Sequence, residues 1–377
     1  MNNLPSSKKI NIAHITYDMR IGGTEMVIKN IIEGSDAELF EMSIFCIEKP
    51  LGPWGVELKN AGLSISTKER KPGFDLSMLF SIRKHLHNNQ IDIIHCHQYT
   101  PWVYGVLAAI GTKTKVIFTE HGRFYPDFSS WKRKYINPIL VKITNHITAI
   151  SSATKDALIN YEFIPRKKIE VIYNGIKPLL IASEQVSKIK NELDIADEKF
   201  VFGTIARLDP IKNHIMMLKA FKLVKNQYDN AVLIIVGDGE EKENIIATIK
   251  SLELENDVIL TGYKTDPSPY LEIFDTYLLS SFSEGTSMTL LEAMSIGKPC
   301  VVTDAGGNKE IIVDNKNGFV TPNNDAEAFS QSMLDLINTP ELRKEMSRYS
   351  FERFNHYFSA DIMNKSYKAL YMAHTKC

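Results

Sequence analysis

The sequence predicts an α/β protein made of two doubly wound domains, and three observations predict it. Short apolar runs rich in β-branched residues alternate with longer amphipathic stretches along the whole chain, the pattern of parallel sheets covered by helices on both faces. The length of 377 residues suits two domains. The charge divides as well: residues 1–180 carry 23 Lys and Arg against 16 Asp and Glu, and residues 181–377 carry 21 against 29. A basic first half suits an anionic neighbour, although chance alone also produces splits of this size.

The elements follow in order. Residues 10–17 read as a strand, Gly22-Gly23 as a turn and 24–32 as the helix after it. Residues 42–47 form the next strand. Between 75 and 88 the apolar positions 76, 79, 80, 82 and 86 keep close to a helical period. A buried-type strand at 91–97 is followed by a helix at 101–110 and a strand at 116–120. A helix at 131–143, a strand at 147–150, a helix from 153 and a strand at 169–173 complete this half. The second half repeats the rhythm, with strands at 200–206, 232–236, 258–261, 276–280 and 299–303 and helices between them. Residues 177–198 are polar and lack strand patterning, which reads as a linker with room for an ordinary helix inside it. The expected division is therefore a first domain at 1–180, a linker at 181–198 and a second domain at 199–359. No solenoid repeat or low-complexity tract interrupts it.

Composition excludes several classes. Lys and Arg number 44 and Asp and Glu 45, a balance unlike that of a dedicated nucleic-acid binder. Hydrophobic residues make up 44% and charged residues 24%, which rules out wholesale disorder. No apolar run reaches the ~18 residues that a spanning helix needs. Residues 1–9 are polar, so no secretory signal is expected. Cys46, Cys96, Cys300 and Cys377 are far apart without metal-type spacing, and a reduced, cytoplasmic setting is expected.

Two such domains place a cleft between two rows of strand ends, and ligands of these sheets lie outside the carboxyl ends of the strands. The residues just after each strand therefore matter most. Gly22-Gly23 lets backbone N–H groups approach a phosphate or sugar, with a tight turn before a helix as the plainer reading. It matches neither Gly-x-Gly-x-x-Gly nor a Walker loop. In His95-Cys96-His97, alternation puts both histidines on one face, with His97 nearer the strand end and the cleft. No carboxylate or cysteine nearby completes a metal site with them. His121-Gly122-Arg123 ends the next strand in the same way. Strand-end histidines serve structure as often as catalysis. In the second half, Arg207 and Lys212 straddle a turn and a helix start. Two cations beside a helix N-terminus suit a diphosphate, with solvated surface charge as the plainer alternative.

The stretch from Ser281 to Met294 is the most informative. A strand ends near Ser280, a loop carries Glu284 and Gly285, and a helix runs from near Ser287 to a terminating Gly297. Glu284 lies beside loop amides suited to an anion, and Glu292 sits about a turn inside the helix. Ionised carboxylates accept hydrogen bonds from vicinal hydroxyls. An anion site beside two polyol sites describes a nucleotide sugar. A surface loop followed by an amphipathic helix with a solvated Glu is the bland reading. Gly306-Gly307 marks a further glycine-rich strand end.

Taken together, these residues resemble the family 4 glycosyltransferases, retaining enzymes of the GT-B fold with two Rossmann-like domains facing across a cleft. The likeness covers almost the whole chain. It rests on Gly22-Gly23, Asp92-Ile-Ile-His, Glu120-His121-Gly122, Asn174-Gly175, Arg207-x4-Lys212, Gly237-Asp238-Gly239, Glu284-x7-Glu292 and Gly306-Gly307, in this order. The first half is most similar to enzymes that build bacterial surface polysaccharides.

The resemblance implies a metal-independent hexosyltransferase that uses a nucleotide sugar, with a UDP-sugar favoured, and a lipid-linked or growing glycan acceptor. Arg207 and Lys212 would hold the diphosphate and Glu292 the ribose. Glu284 would bind the donor sugar, with Gly285, Thr286, Ser287 and Met288 lending amides. Gly22 and Gly23 would approach the diphosphate from the other domain, and His97 would sit near the reacting sugar. His97, Arg207, Lys212 and Glu284 are the expected catalytic set, and His121 and Arg123 are acceptor-side candidates. No Asp-x-Asp occurs, and Arg, Lys and backbone N–H groups can stabilise a leaving diphosphate instead. No cofactor, metal or nucleic-acid partner is expected.

Two departures qualify the likeness. Gly-Thr-Ser-Met follows Glu284 where many relatives carry an aromatic residue and a second glycine, so sugar preference does not carry over. Trp131, Lys132, Arg133 and Lys134 form a basic, aromatic segment that suits peripheral contact with an anionic inner membrane face or, equally, a solvated helix surface. Residues 360–377 are expected to pack back on the first domain, as in relatives. The competing functions are a nucleotide-sugar epimerase of the same fold and an inactive glycan-binding scaffold.

Overall fold

The computed structural model describes residues 9–122 and 129–375. It contains two compact units: the chain up to Gly175 together with the segment from Ala360 onward, and Ile176–Ser359.

The first unit holds seven strands, β1 (Ile10–Thr16), β2 (Phe40–Cys46), β3 (Ser64–Thr67), β4 (Ile93–His97), β5 (Lys115–Glu120), β6 (His146–Ala149) and β7 (Ile169–Val171). They pair in the order β3-β2-β1-β4-β5-β6-β7, all parallel. Six helices connect them: α1 (Gly23–Glu33), α2 (Pro53–Asn60), α3 (Leu76–Asn88), α4 (Tyr99–Ala109), α5 (Trp131–Ile143) and α6 (Ser152–Glu162).

The second unit holds α7 (Ser183–Glu192), β8 (Phe200–Ile205), α8 (His214–Lys225), β9 (Ala231–Val236), α9 (Lys242–Ser251), β10 (Val258–Gly262), α10 (Ser268–Ile273) and β11 (Thr276–Leu279). These are followed by α11 (Met288–Ser295), β12 (Cys300–Thr303), α12 (Asn308–Ile311), β13 (Gly318–Thr321), α13 (Ala326–Asn338) and α14 (Pro340–Arg353). Its sheet is parallel throughout, in the order β10-β9-β8-β11-β12-β13. The last helix, α15 (Ala360–Thr375), belongs to the first unit.

Central strands such as Ala-Val-Leu-Ile-Ile-Val of β9 are buried at every position, because helices cover both sheet faces. In the first core Trp102 stacks on Phe118 at 4.4 Å and donates its indole N–H to Thr144 Oγ1 at 2.8 Å. In the second, Phe202, Phe221, Leu233 and Phe329 are fully buried. Each such side chain contributes roughly 1.5–3 kcal/mol. Capping residues set several helix starts: Asp75 accepts from Ser77 N and Met78 N before α3, and Ser287 accepts from Leu290 N before α11.

Three short elements escape the sequence reading. β3 carries a single apolar residue between serines, α2 buries only Gly55 and Leu58, and β13 is a four-residue edge strand opening on Gly318. None is long enough to establish a period.

The segment expected as a linker is part of the second unit, where α7 packs on α10. Its polarity reflects a helix with no buried residue. The chain passes between the units at Gly175–Ile176 and again at Ser359–Ala360. Ile176 and Ser359 pair in a parallel bridge, and Ile176 N–H donates to Phe358 O at 3.0 Å.

In the first unit α15 packs on α1. Asn364 donates to Asn30 O at 3.2 Å, and a Cβ on Gly34 would lie 1.8 Å from Asn364 Nδ2.

Candidate active site

Three neighbouring strand ends of the second unit build the site. After β8 the chain turns through Arg207, Asp209 and Lys212 into α8. Asp209 accepts from Ile211 N at 3.1 Å and pairs with the Arg207 guanidinium. Ser280, just after β11, donates to Lys212 O at 2.8 Å and to Asn213 O at 3.1 Å, fixing the turn. Phe282 N–H donates to Ile211 O at 2.8 Å.

The loop after β11 then brings Glu284 to Lys212, with Nζ 2.7 Å from Oε1. The same carboxylate oxygen accepts from Ser281 Oγ at 2.6 Å. The loop after β12 clamps Glu284 from behind, with Gly307 N–H donating to Glu284 O at 3.0 Å. Only glycine suits position 306: φ is +54°, and a Cβ would lie 2.0 Å from Glu284 O. Gly285 and Thr286 are partly buried, and Ser287 and Met288 are buried at the start of α11. Burial pushes the Glu292 carboxyl up to about 7, with the like charge of Asp266 adding to the rise.

The first unit is different. His14 of β1, His95 and His97 of β4, and His121 just beyond β5 meet on one side of the sheet. His14 Nδ1 lies 2.9 Å from His97 Nε2, and His97 Nδ1 lies 2.8 Å from His121 Nε2. His95 contacts Tyr371 of α15 at 2.8 Å and Thr119 at 2.6 Å. Burial lowers the pKa of all four rings, to about 3 for His14 and His121. They are neutral at physiological pH, and the contacts are neutral hydrogen bonds. His14, His95 and His97 offer nitrogens within 4.8 Å of one another, the spacing of a metal-ligand set. The sequence shows the His95/His97 pair. It hides His14, 81 positions before His95, because only the β1–β4 pairing brings His14 opposite His95.

Beside this network lies a cavity of about 590 Å³. Asp18, Glu25, Glu48, Glu120 and Glu162 line it against two cations, Arg20 and Arg133. Gly22 also lines it, and a Cβ there would meet Glu25 Oε2 at 2.6 Å. The turn that the sequence offers to an anion is therefore already faced by a carboxylate.

Comparison with known proteins decides the family. Residues 21–178 match Glycosyltransferase Family 4, and residues 185–353 match Glycosyl transferases group 1. The chain belongs to glycosyltransferase family 4. It is 28% identical over 346 residues to the UDP-Gal:alpha-D-GlcNAc-diphosphoundecaprenol alpha-1,3-galactosyltransferase of Escherichia coli, covering 86% of this chain and 87% of that protein. A glycosyltransferase from Rickettsia africae ESF-5 superposes with a TM-score of 0.85 at 21% identity, over 98% of this chain and all (100%) of that one. Anabaena HepE in complex with UDP gives 0.83 at 19%, over 97% and 100%. The fold is GT-B, and the chain is a glycosyltransferase.

The structure of this glycosyltransferase brings Arg207, Lys212 and Glu284 onto adjacent loops, with Glu292 within the helix that follows. It does not bring His97 to an open strand end. His97 is fully buried, with both ring nitrogens engaged by other histidines, because His14 of β1, in register with His95, and His121 just beyond β5 both reach its ring. His121 is partly buried at the edge of that network. Arg123 lies outside the described residues. Gly23 is exposed at the start of α1.

Arg133 departs from the membrane-facing segment expected for it. It turns inward to Glu162 at 2.5 Å and lies over the Tyr99 ring at 4.6 Å. Sequence reasoning also missed Ser281 and Asp209, the hydrogen-bond partners of Glu284 and Arg207. Their positions beside those residues were the available signal.

Proposed function

We propose that the chain is a retaining hexosyltransferase that uses a UDP-sugar, needs no metal ion and extends a lipid-linked or growing glycan acceptor. One observation carries this reading: Lys212 and Glu284 stand 2.7 Å apart on adjacent strand-end loops. A cation for a diphosphate thus adjoins a carboxylate for sugar hydroxyls. The donor named for the Escherichia coli relative, UDP-Gal, and the UDP bound to HepE support a uridine nucleotide. The diphosphoundecaprenol-linked acceptor in that relative's name supports a lipid-linked glycan.

In this reading Arg207 and Lys212 hold the diphosphate, Glu292 takes the ribose hydroxyls, and the amides of residues 285–288 face sugar and phosphate. The bond from the sugar C1 to the phosphate oxygen breaks. The bond from C1 to the acceptor oxygen forms on the same face, and the leaving phosphate accepts the acceptor's proton. The two cations and loop N–H groups stabilise the charge that develops on the diphosphate. The acid-lined cavity of the first unit suits the hydroxyls of an acceptor sugar better than a phosphate.

Peripheral contact with an anionic membrane is part of the same reading. On α5, Trp131, Tyr135 and Ile139 are 72%, 67% and 61% exposed at four-residue spacing, beside exposed Lys132, Lys134 and Lys142. Among the described residues no helix is long and apolar enough to cross a membrane.

The test is acceptor-dependent release of UDP from UDP-sugars, with and without EDTA, using an undecaprenyl-diphosphate-linked N-acetylhexosamine as acceptor. Release only with acceptor, unchanged by EDTA and giving an α-linked product, is expected. A changed sugar without acceptor would indicate an epimerase, and no turnover at all would indicate a scaffold.

A further inference from the structure

We propose that Lys212 and Glu284 form an exchangeable pair by which the site distinguishes a nucleotide sugar from the nucleoside diphosphate left after transfer. The proposal rests on the donor reading above and concerns what that reading leaves open, namely why the spent nucleotide leaves.

The Lys212 ammonium is paired with a carboxylate of the protein itself. It lies 2.7 Å from Glu284 Oε1, with the two side chains only 21% and 9% exposed. Such a pair is better shielded from water than the exposed ion pairs that contribute little. A diphosphate can use Lys212 only by drawing it away from Glu284. That leaves a mostly buried carboxylate with Ser281 Oγ, at 2.6 Å, as its remaining partner. Removing one member of a partly buried pair exposes the other to the full penalty of an unmatched charge.

A hexose changes this balance. Its hydroxyls donate to the carboxylate in place of the lysine, so Lys212 moves to phosphate and Glu284 remains satisfied. UDP brings no hexose hydroxyls to that position. Once the sugar has been transferred, Glu284 reclaims Lys212 and the diphosphate loses a cation.

The surrounding structure suits an exchange of side chains over fixed backbones. Ser280 Oγ anchors Lys212 O and Asn213 O at 2.8 and 3.1 Å. Gly307 N–H holds Glu284 O at 3.0 Å, against a Gly306 that has no room for a side chain. Neither loop needs to move for the long lysine side chain to change partner. Arg207 is paired too, with Asp209, but its own side chain is 75% exposed, and that contact resembles a surface pair. The discrimination therefore belongs to Lys212 and Glu284.

Isothermal titration of the native chain and of Glu284→Gln with UDP, UDP-glucose, UDP-galactose and UDP-N-acetylglucosamine tests the idea, with thermal unfolding as the check on folding. Glutamine keeps the shape and removes the charge that holds Lys212. UDP is expected to bind the variant about tenfold tighter, a difference of about 1.4 kcal/mol. The preferred UDP-sugar should gain nothing, so the ratio of the two dissociation constants falls at least tenfold. Glu284→Asp, which keeps the charge, should retain most of the native ratio. An unchanged ratio in Glu284→Gln, with UDP still bound, overturns the exchange and leaves the donor reading standing. Weakening of UDP and UDP-sugar alike also overturns it, because that is what a purely structural Glu284 would produce. If the native chain binds none of the four, the donor reading falls and the exchange falls with it.

Discussion

The first unit gathers four imidazoles where β1, β4 and β5 run side by side, and burial keeps every one of them uncharged. The second unit sets Arg207, Lys212 and Glu284 on the loops after β8 and β11, partly exposed and paired as ions. Both sheets are parallel, both are doubly wound, and both present polar residues near strand ends. The difference is in burial. Short rings held by one another, with His95 also against Tyr371 of α15, have little freedom to change partners, so they specify packing. Long charged side chains at a half-open loop keep that freedom, so they can trade a protein partner for a ligand. A shared architecture thus leaves chemistry to the particular side chains at its strand ends.

Acid is the strongest way to separate the two units. The four histidines have folded pKa values below their ordinary 6.5. Below pH 6.5 the unfolded chain takes up protons that the folded chain refuses. The stability is therefore fully present above pH 6.5 and is lost as pH falls toward 3. Four such groups give a slope approaching roughly 5 kcal/mol per pH unit once the unfolded rings are protonated. The second unit has His214 as its buried counterpart, held at about 4. Hydrogen exchange between pH 7 and 5 should show protection lost first in β1, β4 and β5. Equal loss in β8 and β9 would erase the contrast.

The next effect is catalytic. Lys212→Ala should lower turnover by about 10²–10³-fold, or ~3–4 kcal/mol, if the lysine meets charge developing on the leaving diphosphate. Some folding stability should be lost as well, because Glu284 is left without its ammonium partner. Steady-state kinetics beside thermal unfolding makes the check. A large loss of stability with turnover intact would mean that the pair serves packing, as the histidines do.

Much of this was legible in sequence, for identifiable reasons. Long periodic segments such as α3, and buried strands such as β4 and β9, declare themselves through spacing and apolar content. The loop around Glu284 declares itself because a strand, a glycine and a helix start compress its chemistry into a few residues. What stayed hidden depends on distant pairing. His14 has no local sign of meeting His95 and His97, and Arg133 looks like one more surface cation until Glu162 and the Tyr99 ring are placed beside it. The exposed surface of α7 is as polar as a linker, so the sequence alone does not show that this helix belongs to the second unit.

A smaller effect sharpens the picture of the second unit. Glu292 has a folded pKa of about 7, above its ordinary 4.5, because burial disfavours its charge. Between those values the folded state holds more protons than the unfolded, so stability falls as pH rises through the window. Glu292→Gln removes that penalty. It should stabilise the chain by about 1–2 kcal/mol at pH 8, after allowance for partial exposure, and by almost nothing at pH 4.5. The same change should weaken UDP binding, because an ionised carboxylate is the better partner for ribose hydroxyls. Native UDP affinity should likewise decline below pH 7 more steeply than that of the variant, in which only the nucleotide's own phosphate titrates. Thermal unfolding and titration at pH 5, 7 and 8 would show both trends. A variant that binds UDP normally would remove Glu292 from the nucleotide site.

The smallest effect on the fold belongs to α5, and its smallness is what makes it useful. Trp131, Tyr135 and Ile139 point to solvent, while Asn137, Leu140 and Val141 face the unit's interior. Exposed substitutions of this kind change stability within about 0.5 kcal/mol. Trp131→Glu combined with Ile139→Glu should therefore leave the melting temperature and the hydrolysis or transfer of water-soluble substrates unchanged. Each substitution removes an apolar side chain from the stripe and adds a charge that anionic lipid repels. Co-sedimentation with vesicles containing phosphatidylglycerol should fall steeply, and turnover of a lipid-linked acceptor in those vesicles should fall with it. Arg133→Ala offers the contrast within the same helix. Its guanidinium is committed to Glu162 and Tyr99, so it should lower stability while leaving vesicle binding nearly intact. If Arg133→Ala instead abolished vesicle binding and the double variant did not, the lipid-facing surface would lie elsewhere, and the apolar stripe on α5 would be left without a role in the transfer reaction.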